Sequence, residues 1–280
     1  MAGTAALVLA GGRSSRMGTP KADLEWHGST LLRRVVGLVA RGVDGPVVVV
    51  RAAGQPLPSL PPAVEVLDDT EQGSGPLHAM AVGLCALEHR AEHAFVCSTD
   101  LPLLHPAFVR AVARAAQDAD VALPVVGGHR QPLAAGYRTA LGARAHDLLG
   151  AGRARPAFLL EGADVRVLDE AALRADARLA AHDPALRSVT GVNTPDEYAR
   201  LRALPPPAVV VSRFGVLATG GERGDREVRA ATLSAAAEAA GVVLDRHVLA
   251  AVNGDQAVRD PELPLAEGDR VALLSADAGG

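Results

Sequence analysis

Residues 7–21 read Leu7-Val-Leu-Ala-Gly-Gly-Arg-Ser-Ser-Arg-Met-Gly-Thr-Pro-Lys21. An apolar, strand-forming run enters a glycine pair, and arginines and a lysine follow. Gly11 and Gly12 let a polyphosphate approach the backbone with no Cβ in the way, and free amides in such a turn attract anions. Lys21 is the only lysine among 280 residues; the other 27 basic side chains are arginine. Arginine therefore serves wherever a surface position merely needs a positive charge. The one position that keeps a compact ammonium is expected to need it, because a planar guanidinium does not replace a point charge at a phosphate. The spacing is not that of the P-loop NTPases, which need Gly-x-x-x-x-Gly-Lys-Ser/Thr, nor is it Gly-x-Gly-x-x-Gly.

Outward from this stretch, strand and helix patterns alternate over the first 200 residues. Strands are expected at Ala5–Leu9, Pro46–Val50, Val64–Leu67, Ala94–Cys97 and Val121–Pro124. Helices are expected at Thr30–Arg41, Pro76–Arg90 and Pro106–Gln117. Short valine-rich strands joined by helical crossovers predict an α/β fold with a mostly parallel sheet covered on both faces. Ligands in such folds sit at the carboxyl ends of the strands. Gly11–Lys21, Asp68–Gly75 and Ser98-Thr-Asp-Leu-Pro102 all fall there.

The apolar fraction is 49% and supports a substantial core, carried by Ala, Val and Leu because aromatics make up only 2%. Cys85 and Cys97 give no disulfide framework, and no signal peptide or long apolar run is evident, so a cytoplasmic protein is expected. The net charge of −4 argues against a general nucleic-acid binder. That charge belongs to one end: residues 209–280 hold 11 acids and 7 arginines, and the rest holds 21 of each.

Leu204-Pro-Pro-Pro-Ala208 reads as a stiff linker, since consecutive prolines favour extended, unpaired backbone. The expected domains are 1–203, a linker at 204–208, and a small α+β unit at 209–280. That unit opens on Val209-Val-Val-Ser-Arg-Phe214. A helix at Thr232–Ala240 follows, capped by Thr232 or Ser234. Strands at His247–Val252 and Arg270–Ser275 complete it, with Asn253-Gly254 as a hairpin turn.

Taken whole, Leu-Ala-Gly-Gly-x-Ser-x-Arg-Met-Gly-x-x-Lys after an N-terminal strand resembles the signature of nucleotidyltransferases that couple an NTP to a phosphorylated acceptor, most closely the molybdenum cofactor guanylyltransferases. Gly75-Pro76-Leu77, Ser98-Thr-Asp-Leu-Pro102 and Gly191-Val-Asn-Thr-Pro-Asp-Glu197 are similar to that family's later motifs, in order. The resemblance covers about residues 1–203. It implies a Rossmann-like sheet, GTP as substrate, molybdopterin or Mo-molybdopterin as acceptor, and attack of the acceptor phosphate on the α-phosphorus of GTP with release of pyrophosphate. Both reactants are anions, so catalysis is mainly positioning and charge neutralisation. The hard cation expected is Mg²⁺, with Asp100 as its carboxylate.

The resemblance also assigns residues. Leu9, Ala10, Gly11 and Gly12 give backbone contacts to the nucleotide. Lys21 contacts the phosphates; Arg16 either joins it or pairs with an acid. Asp68 matches an acidic nucleotide contact, with Asp69 one step away in register. Arg51 stands where the family often has asparagine. Asn193 matches the acceptor motif, although Gly191 replaces the usual amide two residues earlier. Thr194-Pro-Asp-Glu197 reads equally as a capped helix start. His129 and Arg130 either meet the acceptor or are loop residues. His78, standing for a usual alanine, is expected to have no chemical role. His89 and His93 read as surface residues and Cys97 as a buried one.

Residues 209–280 resemble the ubiquitin-like (β-grasp) sulfur carriers, specifically the small subunit of molybdopterin synthase. The residues that carry this are Phe214-Gly-Val-Leu217, Val252-Asn-Gly254, Leu265–Ala272 and Gly279-Gly280. In that family the final glycine, here Gly280, is adenylated and converted to a thiocarboxylate. The implied partners are the molybdopterin synthase large subunit and an E1-like adenylating sulfurtransferase. Rival readings are a cytidylyl or other nucleotidyltransferase of the same fold, and a silent scaffold with only the carrier active.

Overall fold

The computed structural model describes residues 3–11, 20–69, 71, 75–218, 224–255 and 259–275. The chain divides into two compact units, residues 1–24 with 30–197, and residues 25–29 with 198–280. Among the described residues no helix is long and apolar enough to cross a membrane.

The elements of the first unit are β1 (Ala5–Leu9), α1 (Leu31–Ala40), β2 (Val47–Ala52), β3 (Glu65–Asp69), α2 (Pro76–Leu87), β4 (His93–Ser98), α3 (Pro106–Ala116), β5 (Val121–Val126), β6 (His129–Arg130), β7 (Ala134–Arg138), α4 (Leu141–Gly150), β8 (Val165–Leu168), α5 (Glu170–Arg174) and α6 (Ala177–His182), followed by α7 (Pro195–Arg202). The sheet runs β3-β2-β1-β4-β7-β5-β6, with β8 on β5. Strands β3, β2, β1 and β4 are parallel, as expected. β7, for which the sequence reading had no strand, enters antiparallel between β4 and β5. The sheet is therefore parallel from β3 to β4 and mixed beyond β4.

All five residues of β1 are buried because both faces of the sheet are covered. On one face Ala6 and Val8 pack with Leu32, Val36 and Phe108 from α1 and α3. On the other, Leu7 and Leu9 pack with Met80 and Leu84 of α2. Each of these leucine, valine, methionine and phenylalanine side chains contributes about 1.5–3 kcal/mol by leaving water. Gly83 allows α2 to lie close to β1: a Cβ there would fall 2.2 Å from Leu7 Cδ1. The helices start where local chemistry starts them. Thr30 caps α1 by accepting from the Arg33 amide, and Pro76 and Pro106 occupy the first turns of α2 and α3.

Two details differ from the sequence reading. Strand β3 extends to Asp69, so Asp68 lies within the strand and pairs with Arg51 of β2. His93 is 4% exposed, not a surface residue, because it opens strand β4 under its neighbours. Burial, with Arg138 adding to it, holds its imidazole below the ordinary value of 6.5.

The second unit contains β9 (Ala208–Arg213), β10 (Asp225–Arg229), α8 (Leu233–Ala239), β11 (Val248–Val252) and β12 (Arg270–Ser275). Its sheet runs β10-β9-β12-β11, with β9 and β12 parallel at the centre and both edges antiparallel. Val209, Val211, Val271 and Leu273 pack with Leu233, Ala236 and Ala237 of α8. Thr232, not Ser234, caps α8, accepting from the Ala235 amide. Residues 25–29 join this unit: Arg202 pairs with Glu25 at 2.7 Å, and buried Trp26 meets Tyr198 edge-on.

The Asn253-Gly254 hairpin is corrected. β11 and β12 do pair antiparallel, Val252 opposite Val271, but residues 253–269 separate them. Asn253 and Gly254 have the positive φ of a tight turn, 58° and 83°. Backbone and side chains close it together: the Asn253 amide donates to the Arg270 carbonyl at 2.8 Å. Asn253 Nδ2 donates to buried Asp269, and Asn253 Oδ1 accepts from the Arg270 amide.

Candidate active site

The carboxyl ends of β1, β2, β3 and β4 lie side by side, and the site is built on them. At the end of β1 the Ala10 and Gly11 amides both donate to the Val50 carbonyl, at 2.8 and 3.3 Å. These amides are therefore spent on the sheet. Gly11 fits close against β2, since a Cβ there would lie 3.1 Å from the Ala52 amide nitrogen. Gly12 and Arg16 lie outside the described residues.

Thr99 fastens β4 to β1 by donating to the Leu9 carbonyl from both its amide, 3.2 Å, and its hydroxyl, 2.9 Å. Asp100 follows immediately. One of its carboxylate oxygens, Oδ1, accepts from the Ser98 hydroxyl. The other, Oδ2, accepts from Lys21 Nζ at 3.0 Å. Asp100 does not cap α3: His105 does so through Nδ1, accepting from the Ala107 amide. Arg34 of α1, only 4% exposed, donates to the Pro102 carbonyl and steadies the same loop.

Lys21 Nζ also donates to Asn193 Oδ1 at 3.1 Å. The structure thus gathers three residues read separately from sequence. The acceptor-like motif is tied in twice, because the Val192 amide donates to the Asp100 carbonyl at 2.9 Å. Thr194 and Glu197 form a reciprocal capping box. Glu197 Oε2 accepts from the Asn193 and Thr194 amides, and Thr194 Oγ1 accepts from the Glu197 amide. Capping and site-building coincide, since the box holds the backbone that presents Asn193. At Gly191 a Cβ would meet only ordinary contacts at 3.5 Å or more, so packing does not demand glycine.

On the other side, Arg51 Nε donates to Asp68 Oδ1 at 2.7 Å, and Arg51 Nη1 donates to the Gln55 carbonyl at 2.9 Å. Gln55 closes the corner: its amide group donates to the Ala10 carbonyl and accepts from the Ala52 amide. Nothing in the sequence pattern singled out Gln55, which acts through the fold of the β2 end. Asp68 and Asp69 point to opposite sides of β3, as alternation requires. Asp69 Oδ1 lies 3.0 Å from His78 Nδ1. His129 and Arg130 are exposed on the β5–β6 hairpin. Cys97 is fully buried, and burial together with Asp100 pushes its thiol far above the ordinary range, which makes it inert as a nucleophile.

The donors at the centre are hard oxygens, the Asp100 carboxylate and the Asn193 carbonyl. They suit Mg²⁺ held by one carboxylate with substrate phosphates completing its shell. Among the described residues no group of three His, Cys, Asp or Glu could hold a metal by itself. The arrangement is a cationic side chain and a carboxylate facing each other at the mouth of a parallel sheet. Such a site can receive a phosphate chain and neutralise charge that develops on it.

The chain resembles known proteins in sequence and in fold. The sequence model of the MobA-like NTP transferase domain matches residues 6–167. A protein of Mycobacterium bovis named "probable molybdenum cofactor guanylyltransferase" is 44% identical over 165 residues, covering 57% of this chain and 80% of its own length. One of the same name from Mycobacterium ulcerans is 41% identical over 188 residues, covering 65% of this chain and 92% of its own. The crystal structure of molybdopterin-guanine dinucleotide biosynthesis protein A from Archaeoglobus fulgidus superposes with a TM-score of 0.56 at 20% identity, covering 71% of this chain and 97% of that one. At that identity the likeness concerns the fold.

Proposed function

The chain belongs to the MobA-like NTP transferase family and is a nucleotidyltransferase, and from that premise we propose that it transfers GMP from GTP to the phosphate of molybdopterin, in molybdenum cofactor biosynthesis. The observation that carries the reading is the meeting of Lys21, Asp100 and Asn193 at the strand ends. Its relatives' names supply the base and the acceptor.

An oxygen of the acceptor phosphate attacks the α-phosphorus of GTP, the bond from that phosphorus to the β-bridging oxygen breaks, and pyrophosphate leaves. Residues 9–11 and Gly12 seat the nucleotide against the end of β1. Asp68, with Arg51 beside it, faces the base. Lys21 balances phosphate charge, and Arg16 adds to it. Asp100 would hold Mg²⁺, which supplies charge neutralisation across the phosphates. Ser98 and Thr99 keep Asp100 in place, and Asn193 orients the acceptor. Because attacking and leaving groups are both anionic, positioning and fixed positive charge supply most of the rate.

The test is titration of the chain with Mg·GTP, Mg·CTP and Mg·ATP, alongside Asp100→Ala, followed by incubation of α-labelled GTP with molybdopterin. Selective GTP binding that Asp100→Ala weakens, with label transferred to the pterin, supports the proposal. A preference for CTP moves the assignment to a cytidylyl enzyme.

For the second unit, the sheet order β10-β9-β12-β11, with a central parallel pair and α8 packed on one face, favours a β-grasp domain. We place the domains at 1–203 and 209–280, joined by 204–208, and read the latter as a sulfur carrier for molybdopterin synthesis. The Gly280 carboxylate would be adenylated at the expense of ATP, and a sulfur donor would then displace AMP to leave a thiocarboxylate. Gly280 lies outside the described residues. The partners would be the molybdopterin synthase large subunit and an E1-like sulfurtransferase. Intact-mass analysis after incubation with such an enzyme, ATP and a sulfur donor tests this; no exchange of oxygen for sulfur at Gly280 removes the carrier function.

A further inference from the structure

Lys21 occupies the carboxylate that the cation needs. Asp100 has two oxygens, and each has a donor: Ser98 on Oδ1 and the Lys21 ammonium, 3.0 Å away, on Oδ2. Magnesium or manganese bonds a carboxylate oxygen at about 2.1 Å. A divalent ion on Oδ2 would therefore lie within roughly 5 Å of the ammonium if Lys21 stayed where it is. Like charges at that range repel strongly, and the two side chains are only 22% and 20% exposed, so solvent screens them incompletely. The Ser98 hydroxyl is neutral and raises no such conflict.

We propose that Lys21 excludes the divalent cation from Asp100 until a nucleoside triphosphate arrives, so that cation and nucleotide bind as a coupled pair. The ammonium donates to Asp100 and to Asn193. A triphosphate offers it several anionic oxygens. Lys21 then turns to the phosphates, and Asp100 Oδ2 becomes available to the cation. The same movement frees Asn193 Oδ1, so the acceptor side is completed only after the nucleotide is seated. Ser98 holds the carboxylate orientation through the exchange. By linkage, whatever factor the nucleotide adds to cation affinity, the cation adds to nucleotide affinity.

The inference rests on the reading of this site as an NTP–cation site, and the experiment separates the two. Mn²⁺ binding to the full chain is measured by its electron paramagnetic resonance signal, without and with GTP, for the wild type, Lys21→Met, Lys21→Arg and the double variant Lys21→Met with Asp100→Asn. Without nucleotide, Lys21→Met is expected to bind Mn²⁺ on the order of tenfold more tightly than wild type. Lys21→Arg, which keeps the charge, stays near wild type. The double variant loses the gain, which locates it at Asp100. Circular dichroism establishes that each variant is folded. Unchanged or weaker Mn²⁺ binding by folded Lys21→Met overturns the exclusion, even where GTP binding still depends on Asp100. If GTP does not bind the wild type with Mn²⁺ present, both the exclusion and the site reading fall.

Discussion

Lys21 Nζ lies 3.0 Å from Asp100 Oδ2, although 79 residues separate them in the chain. The pair joins the end of the glycine-rich loop to the end of β4, and Asn193 completes the group from a third segment. Lys21→Met is expected to slow pyrophosphate release by roughly two to three orders of magnitude, the usual effect of deleting a charge-stabilising donor. Lys21→Arg recovers only part of this, because the guanidinium is larger and planar. Thermal melts should move little, since a partly exposed ion pair contributes about 1 kcal/mol or less. A large loss of stability with unchanged turnover would make Lys21 a structural residue.

Glu197 accepts from the two amides that present Asn193 and Thr194. Glu197→Ala removes half of the capping box and costs about 1 kcal/mol of stability by denaturant titration. It also raises KM for the acceptor more than KM for GTP, because the nucleotide is held mainly by other segments.

Two glycines should respond oppositely to alanine. Gly83→Ala drives a methyl to 2.2 Å from Leu7 Cδ1 in the packed face beneath β1, and is expected to cost about 1–3 kcal/mol. Gly191→Ala meets nothing nearer than 3.5 Å at an ordinary φ, and should stay within about 0.5 kcal/mol of wild type. Urea midpoints for the two variants decide this.

Arg51 and Asp68 form a half-exposed pair on neighbouring strands. Arg51→Asn should alter stability by less than about 1 kcal/mol. It should weaken GTP binding by roughly tenfold, the scale of one lost charged contact to a base edge. Equal GTP and CTP affinities before and after the change would remove Arg51 and Asp68 from base selection.

His93 gives the stability a pH dependence. Burial, helped by Arg138 and opposed by Glu92 and Asp120, keeps it below its ordinary 6.5 in the folded chain. The unfolded chain therefore takes up a proton as pH falls past 6.5 while the folded chain does not, and stability declines there. Above that pH the contribution is complete. His93→Gln should flatten the curve of unfolding free energy against pH below 6.5; an unchanged slope would assign the decline to other groups.

The parallel half of the sheet was legible because β1, β2 and β4 are short apolar runs with buried side chains on both faces, and because β1, β3 and β4 are each followed by a helical pattern with its own start signal. Thr30, Pro76 and Pro106 marked helix starts at the observed positions. β7 was missed: Ala134-Ala-Gly-Tyr-Arg138 has neither alternation nor a β-branched residue, and it is a strand because β4 and β5 lie on either side of it. The hairpin at Asn253-Gly254 was misjudged for a related reason. The dipeptide sets the local turn, but the partner strand is chosen by the core that Leu265, Val271 and Leu273 share with α8.

At the site, the sequence by itself determined the parts: the one lysine in an arginine-rich chain, the glycines that clear the strand end, the aspartate after β4, and the asparagine ahead of a capping box. These follow from residue type and short-range spacing. Only the tertiary structure decided their partners. It set Lys21 against Asp100 and Asn193 together, gave Arg51 to Asp68 and His78 to Asp69, brought Gln55 to Ala10, and buried His93. Each of those relationships joins segments that are neighbours across strand ends or in the core, and distance of that kind is fixed by packing and strand order, which no local pattern encodes.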